Sequence, residues 1–139
     1  MRVVTCALLI LSTLGSAASA AEPIAQTFNA PAERVWAVME AVLKQLGWDV
    51  DKKDRSIGML TTDSRSVEGA DYGVYAKGTR HRLTLYVKGA SDNRTTVTVE
   101  REVFKRERIL WIDKDEPVST ASDKRDVERS LLAAIGRAL

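Results

Sequence analysis

APAERVWAVMEAVLKQLG, residues 30–47, reads as one amphipathic helix followed by its stop signal. Val35, Val38, Met39, Val42 and Leu46 recur at helical spacing and draw one apolar stripe, which Trp36 and Leu43 widen. Asn29 or Ala30 is the expected cap, with Pro31 in the first turn, where its missing N–H costs nothing. Glu33 suits the positive end of the helix dipole, and Gly47 can take the left-handed conformation that ends a helix. A helix with so wide an apolar stripe must bury it against something. The neighbouring sequence supplies strands.

Upstream, Ile24 to Phe28 alternates as a short strand. Downstream, Trp48 and Val50 alternate with Asp49 and Asp51, and Ile57 to Thr62 resumes after the turn-like Lys53-Asp54-Arg55-Ser56. Ser64 to Lys77, with Gly69 and Gly73, reads as a long connection. Arg80 to Val87 is the clearest strand, with His81, Leu83, Leu85 and Val87 on one face and Arg80, Arg82, Thr84 and Tyr86 on the other. After a turn at Gly89 to Asn93, Thr95, Val97, Val99 and Val103 form the inward row of the next strand. Ile109 to Ile112, with Trp111, is an apolar patch at a strand end or loop. A second amphipathic helix starts around Ser122-Asp123 and carries Val127, Leu131, Ala134, Ile135 and Ala138 on one stripe. The expectation is an α+β chain in the order β-α-β-β-β-β-α, one antiparallel sheet packed against an N-terminal and a C-terminal helix.

The first twenty residues carry a different signal. Arg2, the apolar run Val3 to Leu14 and Ala18-Ser19-Ala20 form an export signal, with cleavage expected between Ala20 and Ala21. Removing residues 1–20 from the 139 leaves 119, read as a single domain at 21–139. Cys6 is the only cysteine and leaves with the signal, so the exported part has neither a disulfide nor a thiol nucleophile. Cys6 also lies upstream of the cleavage point, so a lipid anchor is not expected. Of the 21 Lys and Arg only Arg2 is lost, and 20 bases face 19 acids. That balance gives no electrostatic case for a nucleic-acid partner. The exported part has no second apolar span.

The run Asn29-Ala30-Pro31-Ala32-Glu33-Arg34-Val35-Trp36 resembles the opening of the first helix in helix-grip proteins, the START and Bet v 1-like superfamily. Leu46-Gly47-Trp48-Asp49-Val50 through Asp54-Arg55-Ser56-Ile57-Gly58-Met59-Leu60-Thr61 is similar to the helix-grip modules of BamC/NlpB, the accessory lipoprotein of the outer-membrane β-barrel assembly machine, where a Trp-bearing helix leads to "L-x-x-x-G", a short strand, then "D-x-x-x-G". The likeness covers about Ala25 to Thr62. It implies a helix-grip fold and an accessory role in outer-membrane assembly or maintenance. The chain departs from it in lacking the lipid-attachment cysteine and in having room for one module.

No catalytic signature accompanies this. G-x-S-x-G, the P-loop and the dinucleotide fingerprint are all missing from the sequence, so no catalytic residue and no cofactor is expected. His81, the only histidine, has no companion ligand motif and shares a face with leucines, which favours a packed histidine over a base. Asp49, Asp51, Asp54 and Asp63 do not follow calcium-loop spacing, and no metal is expected. Glu100 to Arg108 mixes both signs and reads as cross-strand ion pairing. The expectation is therefore a non-enzymatic envelope protein, periplasmic or secreted, that binds another protein or an envelope component. The alternative is a carrier of a small hydrophobic ligand or lipid. In either case the working surface is the groove between the first helix and the sheet, with Trp36, Met39, Tyr72, Tyr75, His81, Leu83, Leu85 and Trp111 as candidate contacts.

Overall fold

The computed structural model describes residues 22–66, 78–118 and 125–139. The expected export signal, Tyr72, Tyr75, and the caps Ser122 and Asp123 lie outside the described residues. Within them the chain is α+β, one antiparallel sheet of seven strands with two helices. The order is β1 (Ile24–Phe28), α1 (Ala32–Gln45), β2 (Val50–Asp54), β3 (Met59–Thr62), β4 (Arg65–Ser66), β5 (Thr79–Ser91), β6 (Arg94–Ile109), β7 (Ile112–Pro117) and α2 (Asp126–Ala138).

The long β5–β6 pair is the spine of the sheet, whose main path runs β1-β6-β5-β3-β2. β6 is long enough to serve two partners, β1 along Thr95 to Val99 and β7 along Phe104 to Ile109. β4 and β7 are strands beyond those expected. Neither has a strand-like sequence; each is specified by the partner it pairs with. β2 is exposed along its whole length and its register shifts between Val50 and Lys52, so Val50 does not point inward as expected. A charged, bulged edge of that kind resists pairing with other chains.

The two helices lie on one face of the sheet. Val35, Trp36, Met39, Val42 and Leu43 of α1 and Leu131, Leu132 and Ile135 of α2 join Leu60, Leu83, Leu85, Val97 and Val99 in one core. The periodicity of α1 is thus realised, except that Pro31 is itself the N-cap and Leu46 is exposed past the last turn. Pro31 accepts the first helical bond, from the Val35 N–H, at 3.1 Å. Gly136 in α2 has a packing reason: a Cβ there would stand 3.3 Å from the Phe28 ring of β1. Arg34 Nη2 donates to the Leu139 carbonyl at 2.5 Å and ties the start of α1 to the end of α2.

Candidate functional site

The space between α1 and the sheet is filled. Met39, Leu83 and Leu85 are all 0% exposed, as are Val35, Leu43, Val97 and Val99 around them. Trp36 lies at the margin of this packing, 4% exposed, with the Arg55 guanidinium over its ring at 5.4 Å. Its indole N–H finds no hydrogen-bond partner among the described residues. It lines a shallow cleft with Ala32, Glu33, Arg55, Gly58 and Val87 whose volume is about 100 Å³. Small-molecule sites are commonly ~300–1,000 Å³, so this cleft is too small for a lipid.

His81 is 2% exposed and packs its ring on Trp48, centroid to centroid 4.8 Å. The Arg65 guanidinium lies over the Trp48 ring at 4.7 Å and donates to the Leu46 carbonyl at 3.1 Å. This stack joins β4, β5 and the segment after α1. Trp48 was not among the candidate contacts, although its place after Gly47 and its alternation with Asp49 marked it as inward. Among the described residues no group of three or more His, Cys, Asp or Glu is placed to hold a metal ion.

Trp111 is nowhere near the groove. It lies at the tip of the β6–β7 hairpin and is 92% exposed, beside Ile109 at 51%, Leu110 at 85% and Ile112 at 70%. Leu110 and Trp111 are the two central residues of the turn, with φ of +48° and +72°. Positive φ at both positions is the geometry that Asn-Gly normally supplies. Left-handed backbone costs an ordinary residue roughly 1–2 kcal/mol. Two bulky apolar residues in that geometry, both in water, are a local conflict of the kind found at working surfaces.

Behind the tip the hairpin is charged on both faces. Its four rungs pair Lys105 with Glu116, Arg106 with Asp115, Glu107 with Lys114 and Arg108 with Asp113, each a base opposite an acid. Arg106 grips Asp115 with two hydrogen bonds of 2.7 and 2.9 Å, and Arg108 Nε reaches Asp113 at 3.0 Å. On the other face Lys105 pairs with Glu107 at 2.7 Å and Lys114 with Glu116 at 3.0 Å. Arg82 and Arg106 also stack on Phe104 at the base of the arm, at 5.0 and 5.5 Å. The ion pairing expected from the mixed run is present, Glu102 with Arg82 of β5 and Arg106 and Arg108 with β7, a partner the sequence had not revealed.

These exposed pairs make a small part of the arm's stability depend on pH. Hydrogen bonds from Arg106 hold Asp115 below the usual carboxylate range, and that from Lys105 does the same for Glu107. Lys105 and Lys114 are raised by their bonds to Glu107 and Glu116. Depressed carboxylates contribute fully above their ordinary value of about 4, and raised lysines below about 10.4. The carboxylate contribution is lost as pH falls through the lower folded-state values. Cross-strand NOEs between Ile109 and Ile112 should therefore persist unchanged across neutral pH and weaken only in stronger acid than ordinary carboxylates require. Loss of those NOEs near pH 6 would contradict this.

No protein-family model matches the chain, and no curated protein matches it.

Proposed function

We propose that the protein is a non-enzymatic, exported domain of helix-grip type that binds a component of the cell envelope through the β6–β7 hairpin tip. The observation that carries this reading is the contiguous exposure of Ile109, Leu110, Trp111 and Ile112 on a turn with positive φ at both central residues. Among the described residues the other exposed large hydrophobics, Leu46, Val50, Ile57 and Tyr86, are scattered along the chain. A sheet carrying its N-terminal and C-terminal helices on one face agrees with the helix-grip resemblance. With the export signal, that resemblance supports a periplasmic or secreted accessory of outer-membrane assembly or maintenance. A carrier of a hydrophobic ligand needs an opening between α1 and the sheet, and the side chains packed there favour the binding reading instead.

The test replaces Leu110-Trp111 with Asn-Gly. This pair relieves the turn, so the variant should fold at least as stably as the parent, with a melting temperature equal or higher. Its co-sedimentation with isolated envelope fractions should drop by at least about tenfold, the effect of losing one or two buried apolar anchors. Unchanged co-sedimentation would place the contact elsewhere on the molecule.

A further inference from the structure

We infer that the component met by the hairpin tip is a lipid bilayer, into whose interfacial layer Ile109, Leu110, Trp111 and Ile112 insert. The inference rests on the tip being the contact surface, and it adds the identity of what the tip contacts.

The first argument is shape. Side chains of a hairpin alternate between its two faces. Ile109 and Ile112 are directly paired across the strands and share a face, while Leu110 and Trp111 form the turn beyond them. All four residues are exposed, by 51–92%, so the tip is an apolar projection rather than a recess. A groove on another protein dries one face of a hairpin, whereas a fluid bilayer surrounds the whole tip.

The second argument is the sharp change in polarity along the arm. Immediately behind the Ile109–Ile112 rung come four rungs of opposed charge, beginning with Arg108 and Asp113. Those charges are satisfied within the hairpin, at 2.7–3.0 Å for the four ion pairs of the arm. They can sit among headgroups without demanding a charged partner. They also set a limit to insertion, since charges cannot follow the tip into hydrocarbon. Two residues beyond the first charged rung reach about 7 Å at strand rise, inside the ~5–10 Å depth of interfacial elements. Tryptophan is the residue most suited to that depth. Among the described residues no helix is long and apolar enough to cross a membrane.

The third argument is charge balance. The arm carries four bases, Lys105, Arg106, Arg108 and Lys114, against four acids, Glu107, Asp113, Asp115 and Glu116. A neutral arm gives no attraction to anionic lipid. Binding should therefore be driven by apolar insertion and be indifferent to salt.

The chain contains an internal probe. It has three tryptophans, of which Trp36 and Trp48 are 4% and 5% exposed and Trp111 is 92% exposed. Emission changes on adding vesicles report Trp111. With phosphatidylcholine vesicles the emission should shift to the blue and be quenched by brominated lipid. The partition coefficient should change less than twofold between about 0.1 and about 1 M salt, where the screening length falls from about 10 to about 3 Å. It should also be similar on vesicles containing phosphatidylglycerol. Leu110→Asn/Trp111→Gly should lower co-sedimentation with either vesicle by at least about tenfold. Trp111→Phe should keep co-sedimentation while abolishing the emission shift.

Three results with the purified protein would overturn the inference. One is no shift and no co-sedimentation with either vesicle. Another is binding confined to anionic vesicles and removed by salt, which would assign it to basic side chains elsewhere. The last is concentration-dependent self-association, lost in the Asn-Gly variant, with no vesicle binding, which would make a second copy the occupant. A photo-crosslinker at position 111 that captures one defined envelope protein, with vesicles inert, rejects the bilayer while leaving envelope binding through the tip intact.

Discussion

Glu128→Ala should cost the fold about 3–5 kcal/mol, a large share of the ~5–15 kcal/mol that holds a domain of this size together. Glu128 lies in the first turn of α2 and forms an ion pair with Arg101 Nε of β6. The side chains are 1% exposed for Arg101 and 3% for Glu128, so neither is screened by water. Truncating the acid takes from a buried guanidinium the carboxylate it is paired with, and with it an offset to the desolvation of that charge. The loss should appear as a melting-temperature drop of roughly 10–20 °C, and as a lower urea midpoint with little change in slope. Arg101→Met/Glu128→Leu removes both charges and keeps the volume, and should lose less than Glu128→Ala alone. A single-variant cost below about 1 kcal/mol would mean that the pair behaves like a solvated surface pair.

Gly58→Ala should be nearly as damaging, by about 2–5 kcal/mol, because left-handed strain and a steric clash act together. Gly58 closes the β2–β3 turn with φ of +66°, and a Cβ there would stand 2.2 Å from the Val87 carbonyl oxygen. Val87 cannot retreat easily, since its N–H donates to the Gly58 carbonyl at 2.7 Å. The other end of the turn is held by Asp54, whose Oδ1 accepts from the Ser56 N–H at 2.9 Å and from Ser56 Oγ. The D-x-x-x-G spacing therefore has a local mechanical meaning: an aspartate to fold the turn and a glycine to let it lie flat on β5. Gly89 serves as the control, as a Cβ there meets nothing within 4 Å. Gly89→Ala should stay within about 1 kcal/mol of the parent. Equal urea midpoints for the two variants would disprove the account of Gly58.

The elements read most securely from sequence were those whose burial pattern is local. The stripe of Val35, Met39 and Val42 is buried as its spacing required, and so are the rows His81, Leu83, Leu85 and Thr95, Val97, Val99. Each row records which face of one element is dry, and the neighbouring residues suffice to show it. Gly47, with φ of +82°, ends α1 for the same local reason.

The hairpin escaped that kind of reading. Leu110-Trp111 breaks the rule by which tight turns are recognised, and Ile112–Pro117 is charged and exposed throughout. β7 is a strand because its acids and bases fall opposite those of β6, a fact of register rather than of propensity. Arg101, within the run read as cross-strand ion pairing, instead turns inward to Glu128 of α2. The groove expected between α1 and the sheet is filled by side chains, and only packing could decide that.

Periodicity thus determined two amphipathic helices, the β5 and β6 alternation, and the sidedness of the core, since apolar spacing along a chain is itself the record of one dry face. Register, the partners of buried charge and the exposure of the Ile109–Ile112 tip were decided by tertiary structure, because each depends on residues distant in sequence that meet only when the sheet closes.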